Sequence, residues 1–167
     1  MCYFDNAFRH PETTINTICH ALNDPKFGDI HFIVGAGLSG TIVLLPVSIK
    51  SNIPCGAVRR MIELDTSSKN GGSHSASLIE TCSSIRHKDV RRYVIVDDLI
   101  DDGETIKRIQ HAMTCRFKHS ECVGIILYNN STGDPTKIGP NWKDIPITYL
   151  CRDIIEQTEL IEVEQTF

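Results

Sequence analysis

Apolar positions along the chain fall into two alternating kinds of segment. Continuous apolar runs occur at 31–35 (HFIVG), 55–60 (CGAVRR), 93–98 (YVIVDD), 122–128 (CVGIILY) and 146–150 (PITYL). Runs without polar alternation read as strands buried on both faces. Between them the period changes. Ile15, Ile18, Cys19 and Leu22 recur at helical spacing from Pro11 to Leu22, with Pro11 and Glu12 suited to a first turn. Ile106, Ile109, Met113 and Phe117 mark one face of a helix over 104–117. The segment 41–50 is apolar nearly all round and predicts a buried helix, which Pro46 should bend or shorten. Strands separated by helices predict the α/β class, as a Rossmann-like parallel five-stranded sheet flanked by helices.

Two stretches break this rhythm. The first lies between Leu64 and Lys88, where "DTSSKNGGSHSAS" contains hardly any apolar residue. Such a stretch inside a compact domain is a functional lid or is disordered; its first part, about 64–78, is the candidate mobile loop. The second, 128–146, has the turn residues of a long loop together with Tyr128, Lys137 and Trp142.

A length of 167 residues suits one domain over 1–167, with a core at about 30–150. Seventeen basic against twenty-one acidic residues give a net charge of −4, which argues against a general nucleic-acid binder. No apolar run approaches the ~18 residues of a membrane span, and "MCYFDNAFRHPE" has no signal-like apolar region; a cytoplasmic protein is expected. The seven cysteines show no C-x-x-C pair, so reduced, mostly packing thiols are expected rather than a disulfide framework or zinc knuckle. The seven histidines show no metal-ligand spacing.

Candidate chemistry begins at "GAGLSG", where Gly35, Gly37 and Gly40 match G-x-G-x-x-G behind an apolar run. A dinucleotide fold would end its second strand on an acid about 20 residues later. Here Val58, Arg59 and Arg60 occupy that place. Val43, Leu44 and Pro46 also suit poorly a helix pressed close to a sheet. A dinucleotide-binding domain therefore ranks third among the readings.

The stretch "YVIVDDLIDDGETI" is denser in information. An apolar strand ends in Asp97 and Asp98, and Asp101, Asp102, Gly103, Glu104 and Thr105 lead into a helix. Open parallel sheets bind ligands at strand carboxyl ends, and a helix start favours phosphate. Val94, Ile95, Val96, Asp97, Asp98, Leu99, Ile100, Asp101, Gly103 and Thr105 resemble the phosphoribosyl-pyrophosphate (PRPP) motif of type I phosphoribosyltransferases. The resemblance extends over about 30–150.

That resemblance implies a function and a site. The chain would transfer the phosphoribosyl group of PRPP to a nucleobase, a purine by preference, releasing pyrophosphate with the help of Mg²⁺. Asp97 and Asp98 would hold the ribose hydroxyls, directly or through metal-bound water. Asp101 would accept a proton from the incoming base. The backbone of Asp102, Gly103, Glu104 and Thr105, with the Thr105 hydroxyl, would hold the 5′-phosphate. Gly37, Leu38, Ser39 and Gly40, with Arg59 and Arg60, would face pyrophosphate, and some family members have a cis peptide where Leu38–Ser39 falls. A hood from the chain ends and 128–146 would select the base, with Trp142 available to stack on it. Family members are commonly dimers or higher homo-oligomers.

Two positions depart from the family pattern. Ser39 stands where members often carry Lys or Arg, and Asp102 where they usually have Thr or Ser. Glu104 adds a further negative charge, and a carboxylate beside a phosphate is repulsive by ~1 kcal/mol even in water. Either these side chains turn outward, or PRPP is bound weakly, or another ligand is bound. A non-catalytic PRPP- or nucleotide-sensing domain of the same fold is the alternative reading.

Overall fold

The computed structural model describes residues 10–60, 76–80, 90–100, 103–129, 144–154 and 156. Helix α1 (Pro11–Leu22) starts with proline in its first turn, where a missing N–H costs nothing. A 3₁₀ turn (Pro25–Phe27) follows, capped by the Asp24 carboxylate accepting from Lys26 N at 3.0 Å. Strand β1 (Phe32–Ala36) runs straight into helix α2 (Gly37–Ser51). Next come β2 (Cys55–Arg60), β3 (Ala76–Glu80), β4 (Arg92–Asp97), helix α3 (Glu104–Arg116), β5 (Glu121–Leu127) and β6 (Ile147–Tyr149).

The sheet has the order β3-β2-β1-β4-β5-β6. The five strands expected from the apolar runs are all parallel to one another. A sixth, β3, pairs antiparallel with β2, Arg59 opposite Ser77 and Arg60 opposite Ala76. It was missed because "ASLIE" carries only two large apolar residues inside a polar stretch. An edge strand has a single ladder to satisfy and does not need the continuous apolar run of an interior one. Residues 76–78 of the expected mobile loop belong to this strand, and 64–75 lie outside the described residues.

From β1 the chain winds outward to β2, then returns to β4 on the other side of β1. Crossovers between parallel strands are right-handed. Two crossovers running in opposite directions therefore place their helices on opposite faces. Alternate strand residues accordingly feed two cores. Ile33, Val94, Val96 and Ile126 pack with Ile18, Leu22, Leu44 and Val47 of α1 and α2. Phe32, Val34, Ile95, Ile125 and Leu127 pack with Ile106, Ile109, Met113 and Phe117 around α3. The Phe32 and Phe117 rings meet at 5.5 Å between centroids.

Helix α2 differs from its sequence expectation in three ways. It begins at Gly37 rather than 41, and it continues through Pro46 to Ser51 without being shortened. It is also not buried all round: Ile42, Leu45 and Ile49 are 45%, 54% and 75% exposed. Val43, Leu44 and Val47 fill the sheet-facing side, so the remaining apolar residues are left on the outer one. Among the cysteines, Cys19, Cys55 and Cys151 are buried, as expected of packing residues. No helix among the described residues is long and apolar enough to cross a membrane.

Candidate active site

In an open α/β sheet the ligand crevice lies outside the strand carboxyl ends, where the winding reverses. Here that point is between β1 and β4, which pair in register from Phe32 opposite Tyr93 to Val34 opposite Ile95. The carboxyl end of β1 carries GAGLSG and that of β4 carries Asp97 and Asp98. Two motifs distant in sequence become neighbours.

The β1–α2 junction is held by glycines in backbone contact. A Cβ on Gly35 would meet the Val96 carbonyl oxygen at 2.7 Å and the Gly40 carbonyl carbon at 3.0 Å. A Cβ on Gly40 would meet Gly35 at 3.2 Å and the same Val96 oxygen at 3.3 Å. Helix α2 thus does press against the sheet, contrary to the expectation from Val43, Leu44 and Pro46. The close approach is made at Gly40, before the bulky residues begin. Gly37 opens the helix at φ +65°, and the preceding Ala36 provides no side-chain cap. Every described peptide bond is trans, Leu38–Ser39 included. The first-turn amides of α2 therefore face the crevice uncapped, in the way that binds anions.

A second such turn opens α3. Gly103 is its N-cap at φ +78°, again without a side-chain cap, and is itself buried. Glu104, the acid of concern in this turn, points along the helix and pairs with Lys107 Nζ at 2.8 Å. Thr105 is half-buried in the first turn. Asp101 and Asp102 lie outside the described residues, as does Trp142.

Between the two turns stands the acidic pair. Asp97 is 3% exposed. Its carboxylate accepts from Asp98 N at 3.0 Å, while that of half-buried Asp98 accepts from Leu99 N at 2.9 Å. Burial, reinforced by the Asp98 charge, pushes Asp97 up to about 8. Asp97 therefore holds its proton to higher pH than an exposed aspartate would.

Arg59 and Arg60 are the last residues of β2. Since Ala36 pairs with Val58, they sit one and two positions beyond the end of β1, on the crevice edge. Their side chains lie outside what the structure describes. No cluster of three or more His, Cys, Asp or Glu residues able to hold a metal occurs among the described residues. Mg²⁺ does not need one, because it commonly binds through one or two carboxylates and the phosphates of a substrate. The Asp97–Asp98 pair fits that donor set.

Two contacts were not foreseen. The Tyr128 hydroxyl, just past β5, donates to the Ser39 carbonyl at 2.8 Å. Asn129 is buried, and its N–H donates to the Asp98 carbonyl at 2.9 Å. The only sequence signal for either was their position at the end of an apolar run.

Fold and crevice together define a doubly wound α/β protein with two uncapped helix starts flanking a carboxylate pair. Solved phosphoribosyltransferase structures have this fold. An orotate phosphoribosyltransferase from Aeropyrum pernix is similar at TM-score 0.60 and 12% identity, covering 89% of this chain and 76% of its own. An adenine phosphoribosyltransferase from Thermoanaerobacter pseudethanolicus gives 0.58 and 19%, over 83% and 78%. The Saccharomyces cerevisiae adenine enzyme, solved with adenine and an imino-altritol bisphosphate, gives 0.59 and 18%, over 86% and 82%. No protein-family model and no curated protein matches the chain. At such identities the likeness establishes the fold, that of the type I phosphoribosyltransferases.

Proposed function

We propose that this protein is a Mg²⁺-dependent phosphoribosyltransferase that moves the phosphoribosyl group of PRPP to a nucleobase, purine by preference, and releases pyrophosphate. One observation carries the reading: two uncapped helix starts, α2 and α3, meet at the ends of adjacent parallel strands with Asp97 and Asp98 beside them. PRPP offers two anionic ends joined by a ribose, and this arrangement offers two anion sites joined by carboxylates. The fold neighbours support it, among them a Trypanosoma brucei adenine phosphoribosyltransferase solved with AMP, pyrophosphate and ribose 5-phosphate.

In this reading the first turn of α2, with Arg59 and Arg60, neutralises the leaving pyrophosphate. The turn at Gly103–Thr105 anchors the 5′-phosphate, and Asp97 and Asp98 orient the ribose hydroxyls. Bound Mg²⁺ would supply charge neutralisation on the pyrophosphate oxygens. The bond from the sugar's anomeric carbon to pyrophosphate breaks, a bond to the base nitrogen forms, and Asp101 takes the nitrogen's proton. Positioning and electrostatics carry such a displacement. The protein works as a homodimer or larger homo-oligomer in the cytoplasm.

The test is pyrophosphate release on incubation with PRPP, Mg²⁺ and a panel of bases. Turnover on adenine, guanine or hypoxanthine supports the reading. Ser39 and Asp102 favour a second one, a PRPP-sensing domain, which PRPP binding without turnover on any base would support. Tight NAD or FAD binding with none of PRPP would refute both.

A further inference from the structure

We propose that Tyr128 is a positioning residue that holds the first turn of α2, and with it the pyrophosphate cradle, in register with the acidic end of β4. The assignment rests on the phosphoribosyltransferase reading and deepens it. Tyr128 follows β5 immediately, and its N–H donates to the Asp97 carbonyl at 3.1 Å. The next residue repeats the link, Asn129 N donating to the Asp98 carbonyl at 2.9 Å. The backbone at 128–129 therefore continues the β4–β5 ladder past both strands and fixes where the two carboxylates stand.

From that fixed backbone the Tyr128 side chain crosses to α2. Its ring is 4% exposed and belongs to the same core as Val43, Leu44, Val96 and Ile126. Its hydroxyl reaches the Ser39 carbonyl at 2.8 Å, in the first turn of α2. A single residue thus touches both sides of the crevice, the turn assigned to pyrophosphate and the strand end assigned to ribose. The turn has no side-chain cap of its own to fix its tilt. A phenol donating to a carbonyl inside that turn ties it to the strand end and leaves its amides open. Arg59 and Arg60 act on the bound anion, whereas Tyr128 acts on the cradle before the anion arrives.

Tyr128→Phe keeps the buried ring and removes only the donor. Titration calorimetry with Mg²⁺ should show inorganic pyrophosphate bound roughly three- to tenfold more weakly, the size of one hydrogen bond. Ribose 5-phosphate, held by the turn at Gly103–Thr105, should bind as in the parent. Hydrogen exchange should quicken in a peptide spanning 36–44 and stay unchanged in one spanning 103–110. A merely structural tyrosine would weaken both ligands or neither, and either result overturns the assignment, as does unchanged exchange at 36–44. A parent protein that binds neither probe refutes the phosphoribosyltransferase reading itself, and this assignment with it.

Discussion

The two strand–helix junctions at the crevice solve the same problem by different means. At β1–α2 no residue intervenes: Ala36 ends the strand and Gly37 starts the helix. Glycine backbones in contact set the geometry there, and no side chain from Gly37 to Gly40 carries a charge. At β4–α3 six residues, 98–103, separate strand from helix, and carboxylates dominate them. The first junction is therefore sensitive to a methyl group and indifferent to pH. The second follows its protons.

The sharpest way to break the first junction is Gly35→Ala. The added carbon would sit 2.7 Å from the Val96 carbonyl oxygen and 3.0 Å from the Gly40 backbone, neither of which can rotate away. A loss of about 3 kcal/mol or more in urea unfolding is expected, with loss of pyrophosphate binding. Gly37→Ala is the control. It has φ +65° but nothing within 4 Å of the added carbon, so only the left-handed backbone penalty of about 1 kcal/mol applies. Equal losses for the two variants would mean that backbone contact is not what shapes this turn.

The second junction is tested by protons. Between about 3.9, the ordinary value for an unfolded aspartate, and about 8, the folded protein keeps a proton on Asp97 that the unfolded chain has released. Stability from this group therefore falls as pH rises through that window and levels off above it. Asp97→Asn removes the dependence. Measured in EDTA, the variant should gain stability over the parent steadily from pH 4 to pH 8, while losing ribose 5-phosphate affinity. A stability difference that does not change with pH would show Asp97 to be ionised in the fold.

Gly103→Ala comes next in size. At φ +78° the backbone lies where L-residues are strained, and a cost of about 1–2 kcal/mol is expected in urea unfolding. The change should weaken ribose 5-phosphate more than pyrophosphate, the reverse of the pattern for Tyr128→Phe. Identical ligand patterns in the two variants would argue against separate anion sites.

The interior of the molecule was legible in the sequence because strands buried on both faces must be apolar throughout. Every such run, from "HFIVG" to "PITYL", lies in the sheet within a residue or so of its expected bounds. What escaped was set by contacts rather than by pattern. Strand β3 lies at an edge and lacks the apolar signature. The early start of α2 depends on Gly35 and Gly40 meeting Val96, a contact between segments some 60 residues apart that no local rule encodes. In the site, the acids of β4 and the turn at Gly103 could be read from spacing, since strand end and helix start are local features. The buried state of Asp97 and the reach of Tyr128 to Ser39 could not.

The smallest effect expected at the acidic junction concerns Glu104, whose charge in a phosphate-binding turn looked unfavourable in the sequence. Its carboxylate and Lys107 Nζ are 2.8 Å apart, and both side chains are nearly half exposed. An exposed pair at this spacing contributes about 0.3–0.5 kcal/mol and is screened by salt. Glu104→Gln should accordingly change stability by no more than that, with the difference shrinking as salt is added. Since the carboxylate already lies along the helix rather than over its open end, neutralising it should strengthen ribose 5-phosphate binding only marginally. A large gain in affinity would show instead that the acid opposes the phosphate in solution, and that Lys107 does not hold it away.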